Sequence, residues 1–187
     1  MAKIRDQITE DKRVAQFPVI DTVETNLMEL LDANSYQKGG FVLHMLRYML
    51  GDSAFFRGLR NYQAKYRNGN ALSDDLRREL EATSGAQLGW FFDQWLRKPG
   101  FPELTTSWSY DAASKKVTVE VKQGSRFGTY RFPLEIELRS PDGRITRTHV
   151  DVSAQASSRI VLDPVLNAAP TDVRFDPEVK LLAVFGH

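Results

Sequence analysis

The spacing of apolar residues changes near Pro99-Gly100: it is helical before that point and alternating after it. In FVLHMLRYML, residues 41–50, Val42, Leu43, Leu46, Met49 and Leu50 fall on one helical face, and His44, Arg47 and Tyr48 fall on the other. Gly51 is expected to stop this helix by adopting a left-handed backbone, and Asp52 or Ser53 to cap the next. There Phe55, Leu59, Tyr62 and Tyr66 form an amphipathic stripe, with Arg57, Arg60, Asn61 and Lys65 on the wet side. Ser73 is the expected cap of a third helix, whose first turn holds Asp74 and Asp75, where the positive end of the helix dipole favours carboxylates. Leu76 and Leu80 face inward and Gly85 closes it. A fourth helix carries Leu88, Phe91, Phe92, Trp95 and Leu96 and stops at Pro99-Gly100.

Past residue 100 the period is two. Leu104, Thr106, Trp108 and Tyr110 alternate with polar neighbours, as do Val117, Val119 and Val121. Tyr130, Phe132, Leu134, Ile136 and Leu138 give the longest alternation, with Pro133 restricted to a strand edge or start because it lacks an N–H. Ser140-Pro141-Asp142-Gly143 reads as a turn in which glycine takes the positive-φ position. Shorter strands are expected over residues 145–150, 159–162, 173–175 and 181–184. Some seven short strands predict an antiparallel sandwich of immunoglobulin-like form. The predicted fold class is therefore α+β: an all-helical unit over residues 1–100, then a β-sandwich over residues 101–187. Before residue 36, residues 4–14 suit a short helix, residues 18–25 an extended loop, and residues 27–31 a helical turn.

Composition narrows the function classes. The 25 Lys and Arg nearly balance 24 Asp and Glu, leaving +1. A dedicated nucleic-acid binder needs surplus cation, so that class is set aside. The absence of cysteine removes a disulfide scaffold, a Cys-ligated metal and a cysteine nucleophile. No apolar run reaches the 18 or so residues of a membrane span, and MAKIRDQITEDKRV holds no apolar signal core. The sequence assigns no compartment: secreted, periplasmic and cytoplasmic settings all stay open, because any leader would lie upstream.

Few residues here carry chemistry by themselves. None of His44, His149 and His187 stands four residues from another on a helix, so there is no HExxH zinc pair. His187 reads as a chain-end residue or part of a tail. No serine sits in a G-x-S-x-G elbow, and Gly39-Gly40 lacks the Lys-Ser or Lys-Thr partner of a phosphate loop. The segment Asn34-Ser35-Tyr36-Gln37-Lys38-Gly39 stands apart. With Asn34 or Ser35 as N-cap, Tyr36 falls in the first turn of the following helix, near free N–H groups, where a phenol hydroxyl can donate to a developing oxyanion. The plainer alternative is an aromatic packed at a helix entrance.

The run NSYQKGGFVLHMLRYMLGD resembles the segment that follows the zinc site in the M1 family of zinc aminopeptidases. The likeness continues through Phe55-Phe56-Arg57-Gly58-Leu59-Arg60, the Asp74-Asp75-Leu76 helix, and Phe91-Phe92-Asp93-Gln94-Trp95-Leu96 to Pro99-Gly100-Phe101-Pro102. It covers most of residues 18–187, the β-rich part being similar to the sandwich that follows the family's catalytic domain. The resemblance implies a zinc-activated water that removes N-terminal residues from peptides, with Tyr36 as the oxyanion donor of the Tyr-x-Lys-Gly motif. Such a donor is worth roughly 10²–10³ in rate. The sequence departs from the family in lacking HExxH, the downstream zinc Glu and Gly-x-Met-x-Asn. The chain is thus expected to be a C-terminal fragment, to hold no zinc and to be inactive alone. Its expected partner is the missing N-terminal part of the same catalytic domain, and the parent's substrate is a peptide. An apolar face left open by that absence would let the fragment dimerise. Lys38 is expected to be solvated or structural, Gly39 and Gly40 to allow close backbone packing, and Trp90, Phe91, Phe92 and Trp95 to be core rather than a substrate wall. A non-catalytic helical and β-sandwich interaction module is the alternative function.

Overall fold

A computed structural model describes residues 1–186; His187 lies outside the described residues. The chain forms two compact units, one of residues Glu10–Pro99, the other of Met1–Thr9 together with residues from Gly100 onward. The expected division at residue 100 therefore differs from these units by the first helix.

The first unit is helical. Asp11 follows α1 (Ala2–Glu10), nearly all of which belongs to the other unit, and opens α2 (Lys12–Gln16), its carboxylate accepting from the N–H groups of Arg13 and Val14. The single helix expected over residues 4–14 is thus two, because this capping bond competes with continuation. Residues 18–25 are irregular, and Leu27–Leu30 is a 3₁₀ turn. A π-helical turn, Asn34–Lys38, leads directly into α3 (Gly39–Lys65). Gly51, at φ +74 and ψ 156, breaks α3 internally, as a residue free of Cβ strain can. The inward stripe of its first half is Phe41, Val42, Met45 and Leu46, while Leu43, Met49 and Leu50 are only half-buried. The expected stripe was turned by one residue.

Gly58 lets α3 approach α4 (Ser73–Ser84): a Cβ there would stand 2.7 Å from Leu80 Cδ2 and 3.2 Å from Leu80 Cα. Thr83 Oγ1 donates across the same contact to the Ala54 carbonyl at 3.1 Å. The N-cap of α4 is Leu72 rather than Ser73, because the Asp75 carboxylate reaches back to the Leu72 N–H at 2.8 Å. That bond needs only the residue at N3. Gly85 closes α4 at φ +73. Helix α5 (Gly89–Leu96) buries Phe91, Phe92, Trp95 and Leu96, which places these in the core, while Trp90, expected there too, is only half-buried.

The second unit holds two sheets. One orders its strands β5-β2-β1-β7 and the other β4-β3-β6. The strands are β1 (Glu103–Asp111), β2 (Lys116–Gln123), β3 (Phe132–Arg139), β4 (Ile145–Val152), β5 (Ser157–Val165), β6 (Asp172–Phe175) and β7 (Val184–Gly186). Val117, Val119 and Val121 of β2 and Phe132, Leu134, Ile136 and Leu138 of β3 are fully buried, as the facing sides of a sandwich are. All pairings are antiparallel except β1 with β7, which is parallel because the chain crosses from β6 into the other sheet. Pro133 is the second residue of β3, paired with β4 on one side and, since β6 pairs only Ile136–Arg139, with no strand on the other. Gly143 takes φ +82 in the β3–β4 turn. Trp108, in the apolar alternation of β1, is exposed.

Candidate functional site

Tyr36 is placed by two sets of bonds. On one side, α2 braces the turn: Arg13 Nε donates to Asp32 Oδ2 at 2.8 Å, and Asn34 Nδ2 donates to the Arg13 carbonyl at 3.3 Å. Asp32 then starts the turn, its Oδ1 accepting from Ser35 N at 3.0 Å and its carbonyl from Tyr36 N at 3.1 Å. The Lys38 N–H reaches the Ala33 carbonyl at 2.9 Å, the i to i+5 bond of a π turn. On the other side, Lys38 Nζ donates to the Lys98 carbonyl, just past α5, at 3.2 Å.

Neither Asn34 nor Ser35 is the cap the sequence suggested. Asp32 takes that role, and the early N–H groups expected to stand free near Tyr36 are bonded. Tyr36 itself projects from this frame, 63% exposed. The arrangement is a fixed backbone carrying an accessible phenol. Single π turns of this kind recur at functional sites.

Lys38 is fully buried, which overturns the solvated reading and keeps the structural one. Burial pushes its ammonium down to about 8. Beside it on the turn, the buried Asn34 Oδ1 has no hydrogen-bond partner among the described residues. Lys38 was missed as a core position, yet a signal was present: it continues the stripe of Phe41, Val42, Met45 and Leu46 by one helical turn. Arg13 and Asp32 carried no such signal, because their pairing joins residues 19 apart across irregular chain. Gly39 and Gly40 are not crowded: a Cβ would meet only Asn34 O at 3.5 Å from Gly39 and nothing within 4 Å from Gly40. Close packing does not require glycine at either.

The histidines do not join this site. His44 is half-buried with its ring edge-on to Phe41 at 5.5 Å. His149 lies on β4, its Nε2 3.5 Å from Glu135 Oε1. Among the described residues, no three His, Asp or Glu side chains gather so as to hold a metal ion. The residues described do not fit a zinc centre. No helix among them is long and apolar enough to cross a membrane.

The order of elements, helices followed by two antiparallel-rich sheets, defines a mixed α+β chain. A crystal structure of Legionella pneumophila aminopeptidase A in complex with aspartic acid superposes with a TM-score of 0.76, covering 88% of this chain and 19% of that one at 16% identity. At that identity the likeness is one of fold. The profile described as the peptidase family M1 domain matches residues 1–95, and the chain belongs to peptidase family M1. Aminopeptidase N of Lactococcus lactis subsp. lactis is 43% identical over 70 residues, 37% of this chain and 8% of that protein. Probable aminopeptidase 1 of Sulfurisphaera tokodaii is 30% identical over 136 residues, 70% of this chain and 17% of that protein. Leucyl aminopeptidase of Saccharolobus solfataricus is 30% identical over 115 residues, 59% and 14%. The chain thus spans less than a fifth of the length of each of these relatives.

Proposed function

We propose that this chain is the part of an M1 aminopeptidase that supplies the hydroxyl of Tyr36 to the oxyanion formed as an N-terminal residue is hydrolysed from a peptide. The observation that carries the reading is the contrast at Tyr36: the phenol is exposed while the turn beneath it is tied on both sides. A donor gains most when its geometry is set before the reaction, since no reorganisation is then needed as charge develops. The bonds from Arg13, Asp32 and Lys38 supply that fixity, and the exposed hydroxyl supplies the access. What this chain does in the reaction is hold one donor and orient it, its hydrogen bond to the oxyanion being given up as the intermediate collapses to a carbonyl. Zinc, which the family resemblance implies for the whole enzyme, would be held by residues other than those described.

The chain alone is therefore inactive. The test is hydrolysis of leucine p-nitroanilide by the purified chain, with and without an M1 polypeptide carrying the portions that this chain does not match. The reading expects no turnover alone and turnover on mixing. Stoichiometric zinc and chelator-sensitive cleavage by the chain alone would contradict it. No turnover in either case favours a non-catalytic interaction module instead.

A further inference from the structure

The register of β2 fixes which way the backbone of β1 faces. Gln123 N donates to the Ala156 carbonyl at 2.9 Å, toward β5, and Gly124 N donates to the Glu103 carbonyl at 2.7 Å, toward β1. Backbone groups of alternate residues point to opposite sides of a strand. Lys122, Glu120 and Thr118 therefore turn theirs to β1, where Thr105, Ser107 and Ser109 are their partners in register. The N–H and C=O groups of Leu104, Thr106, Trp108 and Tyr110 point the other way, to the side of β7. The bond of Val184 N to the Pro102 carbonyl at 3.1 Å follows the same alternation. Strand β7 pairs only with Glu103, Leu104 and Thr105. Past its end, no strand or loop among the described residues bonds the outward N–H and C=O groups of Trp108 and Tyr110.

This open stretch differs from the other sheet edges. Strand β5 carries Arg159, Asp163 and Pro164, β4 carries Arg147 and Asp151, and β6 carries Asp172 and Arg174. Charges and proline of this kind discourage further pairing. Thr106, Ser107, Trp108, Ser109 and Tyr110 include neither. Ser107 and Ser109 are exposed, and Trp108 is 39% exposed. The side chains of an added strand would alternate between two surroundings. On one side stand Trp108 and Tyr110, in register with the buried Val119 and Val117. On the other, Ser107, Ser109, Thr118, Glu120 and Arg159 line a groove of about 270 Å³. Backbone donors and acceptors at this spacing are matched by another extended chain, and β7 shows that the edge of β1 accepts one. We propose that β1, beside Trp108 and Tyr110, is a strand-addition site that binds an extended peptide in trans past the end of β7, its residues alternating between β-branched apolar and small polar side chains. The site is independent of the role proposed for Tyr36.

The test uses the whole 187-residue chain. A fluorescein-labelled heptapeptide that alternates threonine or serine with valine is titrated with it, and association is read by fluorescence anisotropy. Saturable binding is expected, with slowed amide exchange at Trp108 and Tyr110 in NMR spectra of the complex. Trp108→Pro removes the outward N–H while leaving the β1–β2 ladder, which does not use it. It is expected to weaken binding roughly tenfold or more. Trp108→Thr keeps that N–H and is expected to bind more tightly than Trp108→Pro, which separates the backbone bond from the loss of the indole. Val161→Pro makes the corresponding change on the outer side of β5, where Ile160 is the residue that faces β2, and is expected to bind like the wild type. Circular dichroism and thermal unfolding establish that each variant folds. If Trp108→Pro does not fold, Trp108→Lys, which puts a charge on the edge and keeps the backbone, takes its place with the same expected loss. No saturable binding by the wild type, binding by Trp108→Pro equal to that by Trp108→Thr, undiminished binding by Trp108→Lys, slowed exchange on β5 in place of β1, or a Trp108-dependent dimer of this chain that the peptide does not displace overturns the proposal.

Discussion

At the scale of residues, Lys38 shows how a charged side chain can serve a frame. Its ammonium is fully buried and donates to the Lys98 carbonyl. Burial pushes it from the ordinary lysine value down to about 8, so the folded state binds this proton less tightly than the unfolded state does. Between about pH 8 and the unfolded value, the unfolded chain holds more protons, and stability rises with pH over that window. Urea unfolding at pH 7 and pH 10 is expected to show the wild type gaining roughly 2 kcal/mol relative to Lys38→Met, which has no such proton. A difference between the two proteins that stays flat with pH would contradict this. The burial was legible from the phase of Phe41, Val42, Met45 and Leu46, once the helix is extended back through the turn. The role proposed for Tyr36 rests on the motif resemblance; its place at a helix entrance offered that role only beside the plainer packing alternative, and the structure adds that Tyr36 is exposed on a braced backbone. The cap from Asp32 and the brace from Arg13 were not legible, because no local pattern joins an arginine on one short helix to a carboxylate beyond an irregular strap.

At the scale of elements, most of what periodicity suggested is present. The long alternation of Phe132, Leu134, Ile136 and Leu138 is a strand because each of these residues is buried on one face. Gly51 breaks α3 and Gly85 ends α4, where a positive φ is needed. The failures have physical reasons. A π turn differs from an α turn in the register of one bond, which composition does not encode. The parallel β1–β7 pairing depends on where the chain crosses between sheets, a long-range event. Helix α3 meets α4 through Gly58, and this contact makes a prediction. Gly58→Val is expected to lower the unfolding free energy by roughly 1–3 kcal/mol through overpacking against Leu80. Gly40→Ala, where nothing lies within 4 Å, is expected to be neutral or stabilising. Denaturant unfolding of the two variants decides it, and a destabilisation by Gly40→Ala as large as that by Gly58→Val would contradict the packing argument.

At the scale of the molecule, each unit has its own buried apolar side chains, while Tyr36 and, before it, Val23, Leu27 and Met28 stand exposed. The chain belongs to peptidase family M1 and spans less than a fifth of the relatives it matches; the role proposed for Tyr36 needs the portions of an M1 domain that this chain does not match. The measurement that bears most directly on this account is the turnover of leucine p-nitroanilide by the chain combined with the rest of an M1 domain, comparing Tyr36 with Tyr36→Phe. Loss of a single preorganised oxyanion donor is expected to lower kcat by roughly 10²–10³ with little change in KM, because the hydroxyl acts on charge that exists only in the transition state. A Tyr36→Phe enzyme with undiminished kcat would contradict the role assigned to this residue.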